Sequence, residues 1–309
     1  MGEGSMSCEE KNKPFIPFIN ANIHVLGLGA AAIPVFQSVR SDIEEKNQDR
    51  QYPYDTWWLW SFSQVPSSVE LAKEAAQKNF GTKDIIVLLV DTADKMSVQH
   101  AERIGQCENP KNIGYPIIIA FLLGDGEQDA RERIASAVGC FVDLRNERLK
   151  QYKKQEPVKQ LVYIFVSSMM ATFEEQQLVS TDLEDVQQLF SHSGEIHFGV
   201  GHAVLESPED DVCRVAAKEA TRELEAQCNL RSIRRAFLSI ENSKPSLYDL
   251  ALASEEILAL MDDDCFFWCN TPVIPDMKEH VRAVLFATEA PITKAKKVTF
   301  IGAGRDDDA

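Results

Sequence analysis

The sequence predicts an α/β protein with a doubly wound, mostly parallel sheet in its first half and a smaller α+β domain with a four-stranded sheet in its second. Three observations carry this expectation. In the first half, near-continuous Val/Ile/Leu runs alternate with helix-length segments, the pattern of strands buried on both faces. In the second half, strands of mixed polarity enclose two amphipathic helices. The length of 309 residues also suggests two domains, or one large one with a seam.

Along the chain, residues 1–20 are polar and then Pro-interrupted, a flexible arm. The strands of the first half are "IHVLGL" (23–28), "DIIVLLV" (84–90), "PIIIAFLL" (116–123) and "VGCFVDL" (138–144). Helices are expected at 31–47, 67–80, 96–106 and 126–137. Residues 158–177, "VKQLVYIFVSSMMATFEEQQ", begin with strand-like composition yet have the length of a buried helix, and local pattern leaves both open. The second half offers strands at 195–201, 233–240, 265–271 and 280–288, with helices at 209–227 and 246–261. In the latter helix Leu247, Leu250, Ala251, Ile257, Leu258 and Met261 fall near one face. Residues 291–309 end in "GRDDDA", an acidic tail.

A net charge of −16 excludes a nucleic-acid partner, since a polyanion needs a basic footprint. No apolar run approaches the roughly 20 residues of a membrane span. The N-terminus lacks the basic-then-apolar pattern of a secretory leader. Seven scattered cysteines without metal-finger spacing fit reduced thiols, and the expected location is cytoplasmic. No Ser, His or Cys lies in a recognisable nucleophile motif.

The stretch "IHVLGLGAAAIP" (23–34) runs a strand into Gly27-Leu28-Gly29, a turn whose bare backbone suits a phosphate. It also satisfies the dinucleotide pattern Gly-x-Gly-x-x-Ala, which should bring an acid at the end of the next strand. Asp42 and Glu44 fall in a helical stretch and Asp55 follows no clear strand, so a structural turn is the stronger reading.

The order of parts, together with two long stretches, resembles the FtsZ branch of the tubulin superfamily. "LVSTDLEDVQQLFSHSGEIHFGVGHA" (178–203) is similar to that family's synergy loop, the helix after it and a strand ending Gly-x-Gly-x-Ala. "SLYDLALASEEILALMDDDCFFWCNTPVIPDMKEHVRAVLFAT" (246–288) is similar to its closing helix, strand, turn and last strand. The likeness covers roughly 23–44 and 81–288. It implies that 158–177 is a long central helix. It also implies a division into an arm (1–20), a degenerate nucleotide-binding domain (21–157), a central helix and synergy-loop start (158–180), a C-terminal domain (181–290) and a tail (291–309).

The resemblance further implies a GTP pocket, and the sequence departs from it there. Gly27 and Gly29 remain, but Ala30, Ala31 and Ala32 follow, then Pro34, which has no amide hydrogen. The family's second glycine loop is replaced by "DTADKMSVQHAERIG", placing Asp91 and Asp94 where phosphates would lie. At about 4 Å and intermediate dielectric such like-charge contact costs a few kcal/mol. The third loop corresponds to the glycine-free 63–76. The guanine-binding Asp falls at Lys159 or Gln160, and only Asn146 keeps its character. Gly27, Gly29 and Asn146 are therefore the vestigial nucleotide residues. GTP or GDP is disfavoured, and no cofactor or metal is expected.

Asp182 and Asp185 match the two synergy-loop acids, which in the family act on a neighbouring subunit's γ-phosphate. Thr181-Asp-Leu-Glu184 also reads as a helix-capping box, a sufficient structural reason for acids there. His192, His197 and His202 recur every five residues, but a strand scatters them over both faces. Trp57, Trp58 and Trp60 suit a core or a partner surface.

These observations favour a non-enzymatic FtsZ-like protein that binds an FtsZ-type protein, or itself, head to tail and regulates or caps filaments. Two alternatives stand beside it: a divergent GTPase that self-assembles, its activity dependent on a partner subunit, and a nucleotide-independent self-assembling protein.

Overall fold

The computed structural model describes residues 22–48, 59–61, 84–105, 116–144, 157–174, 177–179, 181–191, 193–205 and 211–290. The arm, the expected helix at 67–80, Asn146, Trp57, Trp58, His192 and the acidic tail lie outside them.

The first sheet contains β1 (Asn22–Leu28), β2 (Leu59–Ser61), β3 (Asp84–Asp91), β4 (Ile117–Leu123), β5 (Cys140–Asp143) and β6 (Gly194–Glu195), in the order β2-β1-β3-β4-β5-β6. Every pairing is parallel. Helices α1 (Ala32–Gln48), α2 (Lys95–Gly105) and α3 (Gln128–Val138) follow β1, β3 and β4. The continuous apolar runs now have their explanation, because alternate residues of one strand feed opposite cores. Ile23, Val25, Ile85, Val87 and Leu89 pack on the α1 side. Leu26, Leu28, Ile86, Leu88 and Val90 pack toward α2 and α3. Strand β2 was not anticipated: it is three residues long and runs through Trp60 in the tryptophan-rich stretch.

Residues Pro157–Glu174 form helix α4, which settles the ambiguity in that segment. Its strand-like composition follows from its place between two sheets, where nearly every side meets apolar neighbours. Phe165 meets the ring of Phe121 on β4 at 5.0 Å between centroids, edge to face. On its other side it meets Phe286 of the second domain at 5.3 Å. A single core thus crosses the boundary between the domains.

The second domain begins with α5 (Leu183–Phe190), then β7 (His197–Val204), α6 (Val212–Glu225), β8 (Arg235–Glu241), α7 (Leu247–Leu258), β9 (Phe266–Asn270) and β10 (His280–Thr288). Its sheet has the order β7-β10-β8-β9, with β10 antiparallel to both neighbours and β9 parallel to β8. The single strand expected over 195–201 is divided: Gly194–Glu195 extends the first sheet, and after Ile196 the chain enters the second. Periodicity cannot show this break, because both pieces are extended and apolar.

Two glycines set the contact between β7 and α6. A Cβ on Gly199 would lie 1.9 Å from the Ala220 carbonyl oxygen, and one on Gly201 only 1.8 Å from that of Ala216. The helix therefore rests directly on the strand backbone. From α6, Glu223 accepts the Val200 amide at 2.9 Å and Glu219 that of His202 at 2.6 Å. The edge of β7 is thereby capped by carboxylates. Arg235, 2% exposed, donates to the carbonyls of Gln188, Leu189 and Ser191 at the end of α5 and to that of Ala290. A cation buried against the negative end of a helix locks α5 onto the sheet.

Candidate functional site

Ligands of doubly wound sheets bind at the carboxyl ends of the strands, where the connecting loops meet. In this chain the loops after β1, β3 and β4 converge there on one side chain, Asp91. Gly29 turns the first loop at φ 90°, and a Cβ there would meet Ser97 Oγ at 2.4 Å and Asp91 Cβ at 2.6 Å. Only glycine fits that conformation in that space. Asp91, 7% exposed, accepts the Ala31 amide on Oδ2 at 2.9 Å and the Ala93 amide on Oδ1 at 3.1 Å. Thr92 ties in the third loop: its hydroxyl donates to the Leu123 carbonyl at 2.6 Å and accepts the Gly126 amide at 3.0 Å.

The next acid has an equally definite place. Asp94 accepts the amides of Met96 at 3.1 Å and Ser97 at 3.2 Å, and the Ser97 hydroxyl as well. It thereby caps the start of α2. The Ser97 hydroxyl and these amides hold its carboxyl below the ordinary value. The sequence predicted repulsion at Asp91 and Asp94. The geometry is more specific, because each carboxylate accepts donors from the loops themselves. Pro34, in the first turn of α1, removes an amide that has no helical partner, so it costs the helix nothing. Lys159, at the position of the expected base-binding acid, pairs with Asp42 at 3.4 Å.

A second group of residues lies where β9 ends. Asp182 caps α5, its side chain accepting the Asp185 amide at 2.8 Å, while Asp185 Oδ2 accepts the Asp182 amide at 3.4 Å. The capping box expected at Thr181 and Glu184 is therefore displaced by one residue. Thr181 is buried instead, its hydroxyl donating to the Cys269 carbonyl at 3.3 Å. Burial, and then the neighbouring Asp182 charge, push the Asp185 carboxyl above its ordinary value. Leu178, hydrogen-bonded through its amide to Thr271, leaves its side chain 46% exposed. Leu247 and Tyr248, opening α7, are 61% and 68% exposed.

No protein-family model matches the chain, and no curated protein matches it in sequence. Solved structures do. An FtsZ mutant from M. jannaschii aligns with TM-score 0.64 and 14% identity over 87% of this chain and 91% of its own. CetZ2 from Haloferax volcanii, described as a GTPγS-bound protofilament, gives 0.60 and 11% over 86% and 92%. CetZ1 from the same organism, a GDP-bound monomer, gives 0.56 and 13% over 87% and 94%.

The fold is that of FtsZ and CetZ. Identities of this size speak for the architecture alone. Within this FtsZ-like fold Gly27 lies inside β1 and Gly29 in the loop after it, while Asp182 and Asp185 lie at the start of α5. His197 is buried and His202 exposed, and no cluster among the described residues could hold a metal ion. No described helix is long and apolar enough to cross a membrane. The bonds from Asp91 to Ala31 and from Thr92 to the third loop were missed. The available signal was an Asp-Thr pair directly ending a buried parallel strand, where side chains reach all neighbouring loops.

Proposed function

We propose that this chain is an FtsZ-like pseudo-GTPase that acts through protein contacts, as a regulator or capper of FtsZ-type filaments. One observation carries the reading: the Asp91 carboxylate sits on the Ala31 amide at 2.9 Å, at the loop that would cradle a phosphate. Asp94 takes the amides opening α2 in the same way. A nucleotide arriving there meets two fixed negative charges instead of free donors. The Asp182 end differs, with an exposed acid shortly after the exposed Leu178, a surface suited to a neighbouring subunit. One competent end and one blocked end favour adding to a filament once and stopping it.

Titration with a fluorescent GTP analogue tests the blocked end, and no saturable binding is expected up to millimolar nucleotide. Saturable binding with turnover lost on Asp182→Ala would overturn the reading in favour of a GTPase. Mixing with an FtsZ should lower polymer length or GTP turnover at substoichiometric amounts. Sedimentation of the chain alone without nucleotide would instead favour self-assembly, as head to tail with itself.

A further inference from the structure

The contact between α4 and the second sheet changes character along its length. It starts apolar, with Phe165 among Phe190, Phe198 and Phe286. One turn further it is polar. Thr172 and Ser167 of α4 bond to Asn270 and Arg282 of the sheet. Ser239 and Asn270 are register partners on β8 and β9, and Glu241 and Arg282 on β8 and β10. Asn270 Nδ2 donates to Thr172 Oγ1 at 3.0 Å, and Thr172 donates to the Ser168 carbonyl at 2.9 Å. Arg282 Nε donates to Glu241 Oε2 at 2.7 Å, and its Nη2 to Ser167 Oγ at 3.3 Å.

Ser168, Ser239, Glu241 and Asn270 are all 0% exposed. Among the described residues, Ser168 Oγ, Ser239 Oγ, Glu241 Oε1 and Asn270 Oδ1 have no hydrogen-bond partner, nor does Gln177 Oε1 where the chain leaves α4. Each orphan costs about 1–3 kcal/mol if left bare. The concentration of these atoms in one seam is what calls for an occupant. Three of them only accept, so whatever lies between must donate. It must also be neutral, because Arg282 already offsets Glu241 and an added charge would be buried without a counterion.

We propose that this seam binds internal water as a built part of the contact between the central helix and the second domain. The test is the sign of a stability change. Ala is the better helix former, so in a dry seam Ser168→Ala should raise the melting temperature by removing an unpaired hydroxyl. With water held there, Ser168→Ala and Ser239→Ala should each lower it, by about 2–4 °C. Water-to-amide cross-relaxation in NMR should also be seen at the Ser239 and Asn270 amides, with long residence. A raised or unchanged melting temperature in both variants, or no such signal, would overturn the proposal. A melting temperature that depends on sodium versus potassium at fixed ionic strength would overturn it in favour of a bound cation.

Discussion

Asp94 and Asp182 perform the same local task at two places in the molecule. Each begins a helix and accepts the amide three residues on, Ser97 in one case and Asp185 in the other. Their surroundings separate them. Asp94 stands beside the buried Asp91, in loops that close over their own donors. Asp182 is exposed, shortly after the exposed Leu178. Capping therefore does not tell a spent carboxylate from an available one. What separates them is whether neighbouring loops turn inward to meet the charge or leave it facing solvent.

The largest effect should come from emptying the closed end. Asp91→Ala strands the Ala31 and Ala93 amides and should cost about 2 kcal/mol in denaturant unfolding. Inorganic phosphate or pyrophosphate should then raise the stability of the variant and leave the unaltered protein unmoved. If phosphate has no effect on either, the first loop has lost its cradle altogether and the contrast sharpens further. A smaller effect belongs to the open end. Asp182→Ala should cost about 1 kcal/mol as a lost helix cap, yet remove most of any effect on FtsZ polymerisation. Equal loss of polymer activity in Asp91→Ala would break the contrast.

The smallest effect is one of pH. The Asp94 carboxyl is held below 3.8, so the stability it contributes is complete above that value and fades as pH falls through its own lowered one. Asp185 has the opposite sign. Its carboxyl is raised, so the stability linked to it is full below 3.8 and declines as pH rises through the folded value. Asp94→Asn should therefore flatten the acid limb of a stability–pH curve below about pH 4, while Asp185→Asn should flatten the slope just above it. The reverse assignment would show that the two caps are not distinguished by their surroundings.

Much of the architecture was legible in the residues, and the exceptions have physical causes. Val/Ile/Leu runs at 84–90 and 116–123 could only be strands buried on both faces, and β10 was bounded at both ends. Composition alone left 158–177 open, because burial between two sheets asks for the same β-branched and aromatic residues as a strand, and the family resemblance supplied the helix that is there. The break at Ile196 left no mark, since passing from one sheet to another needs no turn residue. At the candidate site, the loss of glycines was plain from Ala30 to Ala32. The partners of Asp91 were not, because the bond to Ala31 joins residues 60 apart in sequence.

Phe165 touches rings supplied by both sheets, and that has a bearing on how the molecule comes apart. Separating the halves would expose this aromatic cluster on each of them. The two sheets should therefore melt in one cooperative transition, and a cut after α4 should yield fragments that aggregate rather than two independent proteins.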